Sequence, residues 1–249
     1  MRYVLAPLVV ALATGCGATL PAVGEAKPHA FLIREAERGP IVVMFGGYLT
    51  SAADLCLGMR QSAMLVAERM QGSVAVFPWN SLDLAKEWCA REGWKRREAG
   101  EAPEYAIAGH SWGGHSACKL TEHIIDTHAG GPCVSALITL DAANHGYCLC
   151  ALEITMAVAT FEYATRQRHG FISLRRTPVP DGERLVRHIN YYQRDSRWLH
   201  GTHIDTATEN HLVWLDSGHE VGHGNLDGIL AELVAEDVRR SFDRKWSAP

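Results

Sequence analysis

Gly109-His110-Ser111-Trp112-Gly113-Gly114 has the form G-x-S-x-G, and what flanks it matters more than the letters. Before it, Glu104-Tyr105-Ala106-Ile107-Ala108 alternates like a short buried strand. After it, Ser116 to Ile125 reads as a helix with Ala117, Cys118, Leu120, Ile124 and Ile125 available for packing. A serine between strand and helix occupies a sharp, strained turn, and glycines two residues to each side let the chains pass closely. The turn lifts the hydroxyl out of the sheet and aims the helix N-terminus at any oxyanion formed there. An incidental serine in a glycine-rich turn would carry the same letters, so the strand and helix on the correct sides decide for a nucleophile.

Working outward, the pattern alternates strands and helices. His29 to Ile33 and Ile41 to Phe45 read as strands joined by the polar turn Glu35 to Pro40. The second ends in Gly46-Gly47-Tyr48, ahead of an apolar-periodic segment from Ala52 to Met70. Ser73 to Trp79 is the next strand, and Ser81 to Glu98 a helix opened by Asn80 or Ser81 as N-cap. Val134 to Leu140 is a near-continuous apolar run, as expected of a parallel strand covered on both faces, and ends in Asp141. Later come a strand at Leu185 to Tyr192, a further one at Glu209 to Leu215, and an amphipathic helix from Leu226 to Phe242. Its apolar side is read as Leu226, Ile229, Leu230, Leu233, Val234 and Val238. Ala151 to Tyr163 is apolar enough to pack on the core or to cover a pocket. The expected fold is α/β, a doubly wound, mostly parallel sheet flanked by helices.

A serine hydroxyl is a weak nucleophile until a base removes its proton, and that base needs a carboxylate to orient it. Asp141, at a strand end, is the first candidate for the acid, with Asp195 and Asp205 as later alternatives. The base is expected on a loop before the last helix, where His211, His219 and His223 compete. His223 is preferred because His223-Gly224-Asn225-Leu226-Asp227 is a glycine-containing loop directly ahead of that helix. Backbone N–H groups at Tyr48 and Trp112 are the expected oxyanion donors, although Gly46-Gly47 serves equally as a tight strand-to-helix turn.

From about His29 to the C-terminal helix the chain resembles the α/β-hydrolases of the lipase/esterase branch. The resemblance rests on Gly109-His110-Ser111-Trp112-Gly113, strand-end Asp141, Asn190-Tyr191-Tyr192-Gln193 and the His223 to Asp227 loop. Where the family commonly has His-Gly after the earlier strand, this chain has Gly46-Gly47. The resemblance implies hydrolysis of small-molecule or lipid esters through an acyl-enzyme, with Ser111, Asp141 and His223 as triad and no metal or other cofactor. A rival occupies the same loop, since His219-Glu220-Val221-Gly222-His223 is H-E-x-x-H, a zinc-protease signature. It needs both histidines on one helical turn, and Gly218, Gly222, Gly224 and Asn225 make a poor helix. Asp227, Glu232 and Glu236 are the candidates for its third ligand. A non-catalytic surface lipoprotein that keeps the fold is the third class.

At 249 residues, 47% hydrophobic and 21% charged, the chain has enough material for one large core. A net charge of -4, with Lys95-Arg96-Arg97 as the longest basic run, gives no support for a nucleic-acid partner. There are seven cysteines. Cys133, Cys148 and Cys150 are the better disulfide candidates, Cys118 reads as a small core residue, and no C-x-x-C pair suggests a cysteine zinc site. Arg2, the apolar run Val4 to Ala13 and Ala13-Thr14-Gly15-Cys16 resemble a bacterial lipoprotein signal. That organisation gives residues 1–15 as signal peptide, 16–28 as a Gly/Ala/Pro-rich tether and 29–249 as a single domain. The protein is then exported, periplasmic or membrane-anchored through lipidated Cys16. An ordinary signal cut further along, or an unstructured start, are the alternatives. Expressed in a bacterial host, Cys16→Ser should move the protein from the membrane to the soluble fraction. A mature protein that still begins at Met1 would overturn the expectation.

Overall fold

Runs of six or seven mainly apolar residues have no face to leave in water, and here four of them lie side by side. A computed structural model describes residues 30–47, 57–127, 134–142, 185–194, 203–213 and 224–243. Within them β1 (Phe31–Arg34), β2 (Ile41–Gly46), β3 (Ser73–Pro78), β4 (Tyr105–His110), β5 (Val134–Leu140), β6 (His188–Tyr192) and β7 (Glu209–Leu212) form one sheet. Its order is β1-β3-β2-β4-β5-β6-β7. Every pairing is parallel except that of β1, which runs antiparallel to β3. All residues of β2 through β6 are buried.

Helices cover both faces, which is the doubly wound arrangement expected. α1 (Leu57–Arg69), α4 (Leu226–Ile229) and α5 (Ala231–Asp243) pack on one side, where Met59, Val66, Leu226 and Val234 meet Val42, Met44 and Ile138. α2 (Leu82–Glu98) and α3 (Trp112–Thr127) pack on the other, where Trp88, Leu120 and Ile124 meet Val43, Phe45 and Ile107. Cys118 lies in this second core, as expected of it, and Cys89 beside it.

Three local expectations change. The last helix is interrupted at Leu230 and divides into α4 and α5. Gly228 lowers helix propensity there, and the Asp227 carboxylate accepts a bond from the Gly228 N–H. Ile229 and Leu233, assigned to the apolar side, face solvent, while Ala231 and Ala235 are buried in their place. Ser81 is the N-cap of α2, yet its hydroxyl makes no cap bond because its backbone (φ -105°, ψ 32°) lies outside the extended region that capping uses. The segment Ala151 to Tyr163 and cysteines 133, 148 and 150 lie outside the described residues.

The turn between β1 and β2 is tied down at the edge remote from the strands' carboxyl ends. Buried Arg96 donates to the carbonyls of Gly39 (2.6 Å) and Ala36 (2.7 Å) and to Ser73 Oγ (2.9 Å). Ser73 Oγ in turn donates to Glu92 (2.6 Å). Burial pushes the Glu92 carboxyl up, but hydrogen bonds from Lys95 and Ser73 outweigh it and hold it below the usual range.

A second polar chain crosses β5, β6 and β7. Thr139 Oγ1 donates to Asn190 Oδ1 (3.0 Å), and Asn190 Nδ2 donates to Asn210 Oδ1 (2.8 Å). The Thr139 hydroxyl proton is therefore committed, so at the 3.1 Å contact His188 Nε2–H is the donor. His188 Nδ1 is left as a buried acceptor without a partner among the described residues. Burial pushes the His188 pKa down to about 4. The unfolded chain, with an ordinary imidazole, takes up this proton as pH falls below about 6.5, while the folded chain refuses it until about 4. Stability should therefore fall across that window, by about 3 kcal/mol for this residue. Urea titrations of the wild type and His188→Gln at pH 7.5 and 4.5 test this, and the variant should lose markedly less stability between the two.

Candidate active site

The direction of the chain across the sheet reverses between β2 and β4. From β2 the chain continues outward to β3, whereas β4 lies on the other side of β2 and leads on to β5. In open α/β sheets a crevice forms outside the carboxyl ends of strands at such a point. There β2 leads into Gly47, and β4 leads into Ser111.

Ser111 occupies the turn between β4 and α3 with φ 56°. Among the described residues, Ser111 and Asp141 (φ 43°) are the non-glycine residues with positive φ. Such conformations cost on the order of 1–3 kcal/mol each and persist only where the surroundings impose them. For Ser111 these include its N–H donating to Leu140 O and its carbonyl accepting from the Gly114 N–H, both at 2.9 Å. Close approach needs the flanking glycines: a Cβ on Gly109 would fall 2.2 Å from Gly113 O, and one on Gly113 2.5 Å from Phe45 O. A Cβ on Gly47 would stand 3.0 Å from Ser111 Cβ, so the end of β2 lies directly against the serine. Ser111 is 7% exposed. α3 begins at Trp112 with no acidic residue in its first turn, so its amides and positive dipole end adjoin the hydroxyl. Trp112 is fixed edge-on to Trp79 at 4.8 Å, and Ser116 Oγ holds the Trp79 carbonyl at 2.6 Å.

Asp141 stands beside this turn. The register pairs His110 with Leu140, so Ser111 and Asp141 continue neighbouring strands roughly 5 Å apart. The Asp141 N–H donates to Tyr191 O (2.8 Å). Its carboxylate, on a residue only 1% exposed, accepts from the Gln193 N–H at Oδ1 (3.0 Å) and from Gln193 Nε2 at Oδ2 (2.6 Å).

Ser111, Trp112 and Asp141 are thus brought together, next to Gly47. Tyr48, Asp195, His219, Glu220 and His223 lie outside the described residues. Asp205 and His211 are placed elsewhere. Asp205 is 89% exposed at its side chain, beside His203. His211 is on β7, three strands from β4 and so about 14 Å away. There it stacks on Tyr191 (5.0 Å) and approaches Glu209 (3.4 Å). The carboxylates considered as a third zinc ligand are each engaged: Glu232 with Arg69, Glu236 with Arg239 and Arg240, and Asp227 with His110.

Two contacts escape the sequence. One is the grip of Gln193 on Asp141, since the resemblance over Asn190 to Gln193 gives Gln193 no role. The other is the contact of His110 Nδ1 with Asp227 Oδ2 at 3.7 Å, largely buried on both sides. It links the residue before Ser111 to the first turn of α4, where Gly58 of α1 comes so close that a Cβ would meet Asp227 Cγ at 2.4 Å. The side-chain alternation of β4 puts His110 on the α4 face, but nothing in the sequence identifies Asp227 as its neighbour.

No protein-family model and no curated protein sequence matches the chain. Among solved structures it is similar to a hyperthermophilic esterase from the archaeon Pyrobaculum calidifontis (12% identity, 97% of this chain and 92% of that one, TM-score 0.46). It is likewise similar to mouse alpha/beta hydrolase domain-containing protein 10 (10% identity, 91% and 99%, TM-score 0.47). A third is a lipase-esterase related protein from Clostridium acetobutylicum (10% identity, 86% and 98%, TM-score 0.45). At such low TM-scores these likenesses add no weight to the site. The strand order and the serine turn above β4 themselves have the form of an α/β-hydrolase-like sheet.

The glycine contacts predict a large effect from one methyl group. Gly113→Ala should destabilise the protein by on the order of 2 kcal/mol or more, because the new Cβ meets the β2 backbone rather than a movable side chain. Equilibrium urea unfolding measures it, and a change under about 0.5 kcal/mol would show that the turn relaxes freely.

Proposed function

We propose that the protein is a serine hydrolase of carboxylic esters, acting on small-molecule or lipid esters through an acyl-enzyme. The observation that carries this reading is Ser111, held at φ 56° at the reversal point of the sheet, with Gly47 against it and the start of α3 beside it. Strain of this kind is maintained by the surroundings and clusters at reactive positions.

In this reading Ser111 Oγ adds to the ester carbonyl carbon while the His223 imidazole takes its proton. The carbonyl π pair moves onto oxygen, where the N–H groups of Trp112 and Tyr48 receive it, aided by the α3 dipole. Collapse expels the alkoxide, which takes the proton from the imidazolium and leaves Ser111 acylated. Water then attacks the acyl group with His223 again as base, releasing the carboxylic acid and restoring the serine. Asp141 orients the imidazole and stabilises its charged form. His219 is the second candidate for the base. No metal takes part in these steps. The reading also places the enzyme outside the cytoplasm, attached to a membrane through Cys16.

Hydrolysis of p-nitrophenyl esters of graded chain length tests the proposal. Ser111→Ala should lower kcat by on the order of a thousandfold or more with the fold intact, and His223→Ala should fall near it. Glu220→Gln should stay within roughly tenfold of wild type, and chelator should have no effect. Turnover abolished by chelator and by Glu220→Gln, yet untouched by Ser111→Ala, would replace this reading with the H-E-x-x-H zinc hydrolase.

A further inference from the structure

The carboxylate next to Ser111 is gripped by a residue that no step above uses. Gln193 follows β6, is fully buried, and reaches Asp141 twice: through its backbone N–H to Oδ1 at 3.0 Å and through Nε2 to Oδ2 at 2.6 Å. Both contacts donate to the carboxylate, and donors to a charged oxygen favour the ionised form and fix its plane. The chain on each side is held as well. Asp141 is placed by its N–H to Tyr191 O (2.8 Å), and the residue before Gln193 is tied across the sheet by the Val213 N–H donating to Tyr192 O (2.8 Å). Asp141 keeps its positive φ within this frame.

We infer that Gln193 is a positioning residue for the reaction, which holds the Asp141 carboxylate charged and aimed as the base's partner. The inference rests on the proposed serine hydrolase and makes its acid specific. Asp195, two residues further along the sequence, is then no part of the triad. Gln193 touches neither substrate nor Ser111 in this role, so its effect belongs in the rate of the chemical step rather than in binding. Replacing Gln193 by leucine or glutamate removes only the Nε2 donor, since both retain the backbone N–H. The loss is therefore partial, and smaller than that of removing Asp141.

The full chain carries the test. Wild type, Gln193→Leu, Gln193→Glu, Asp141→Asn, Asp195→Asn and the double variant Gln193→Leu/Asp141→Asn are assayed for kcat and KM on a short p-nitrophenyl ester. Each is also titrated with a fluorophosphonate that labels activated serines, and folding is followed by circular dichroism. Gln193→Leu should lower kcat and the labelling rate by about ten- to a hundredfold with KM within about threefold. Gln193→Glu, which sets a carboxylate against a carboxylate in the same volume, should lose more. The double variant should be no slower than Asp141→Asn alone, because the two residues act as one unit.

A Gln193→Leu variant within twofold of wild-type kcat overturns the inference, as does a loss that multiplies fully with that of Asp141→Asn. So does an Asp195→Asn variant as impaired as Ser111→Ala. In each of these cases fluorophosphonate labelling of wild-type Ser111 still stands, and with it the serine hydrolase. Absence of that labelling removes the parent proposal instead. Should Gln193→Glu fail to fold, Gln193→Leu, which adds no charge, decides the matter.

Discussion

No side chain separates the first turn of α3 from the end of β2. The Gly113 backbone lies against the carbonyls of Phe45 and Gly46, closely enough that a methyl group there would overlap both. That contact sets the height of α3 above the sheet, and several other placements follow from it. Gly109 and Gly113 can cross, Ser111 must turn with a positive φ, and Gly47 comes to rest against the serine. The amides at the start of the helix then stand next to the hydroxyl, where a developing negative charge is stabilised without any rearrangement.

The two ends of the sheet are built differently. At the amino ends of the parallel strands, buried Arg96 spends its donors on the carbonyls of the β1–β2 turn and on Ser73, and Glu92 receives what remains. Every partner is satisfied, and the result is a fixed corner. At the carboxyl ends the backbone is strained at Ser111 and Asp141, and polar groups point toward one another across strand ends. Strain of on the order of a few kcal/mol at one end is tolerable because the other end is tied down and two apolar layers are buried between them.

The central strands were legible because their chemistry is local. A run such as Val134 to Leu140 is mainly apolar, its only polar residues being the small Ser135 and Thr139, and the strand has those bounds. Ser111 was legible for a related reason: a serine among glycines, between strand and helix, describes a turn that few alternatives fit. The Gln193–Asp141 and His110–Asp227 contacts were not legible, because each joins segments far apart in sequence through packing that periodicity does not encode. The break at Leu230 was missed because the apolar spacing of Leu226 to Phe242 is unbroken. The interruption falls next to Gly228, whose low helix propensity the apolar spacing does not register.

The strained backbone at Ser111 has a consequence for biosynthesis. Within Gly109 to Gly114 the bond from the Gly114 N–H to the Ser111 carbonyl supports the left-handed serine, but it is only part of what holds the turn. The turn draws on Leu140, a residue made later, and Asp141 is placed in turn by Tyr191 and Gln193, which are made later still. A chain emerging from the ribosome therefore carries an ordinary serine until its fourth, fifth and sixth strands have paired. In the serine-hydrolase reading proposed above, reactivity arrives with the completed centre of the sheet, so that hydrolysis would itself report that the chain has folded through that point. An unfinished chain is chemically quiet.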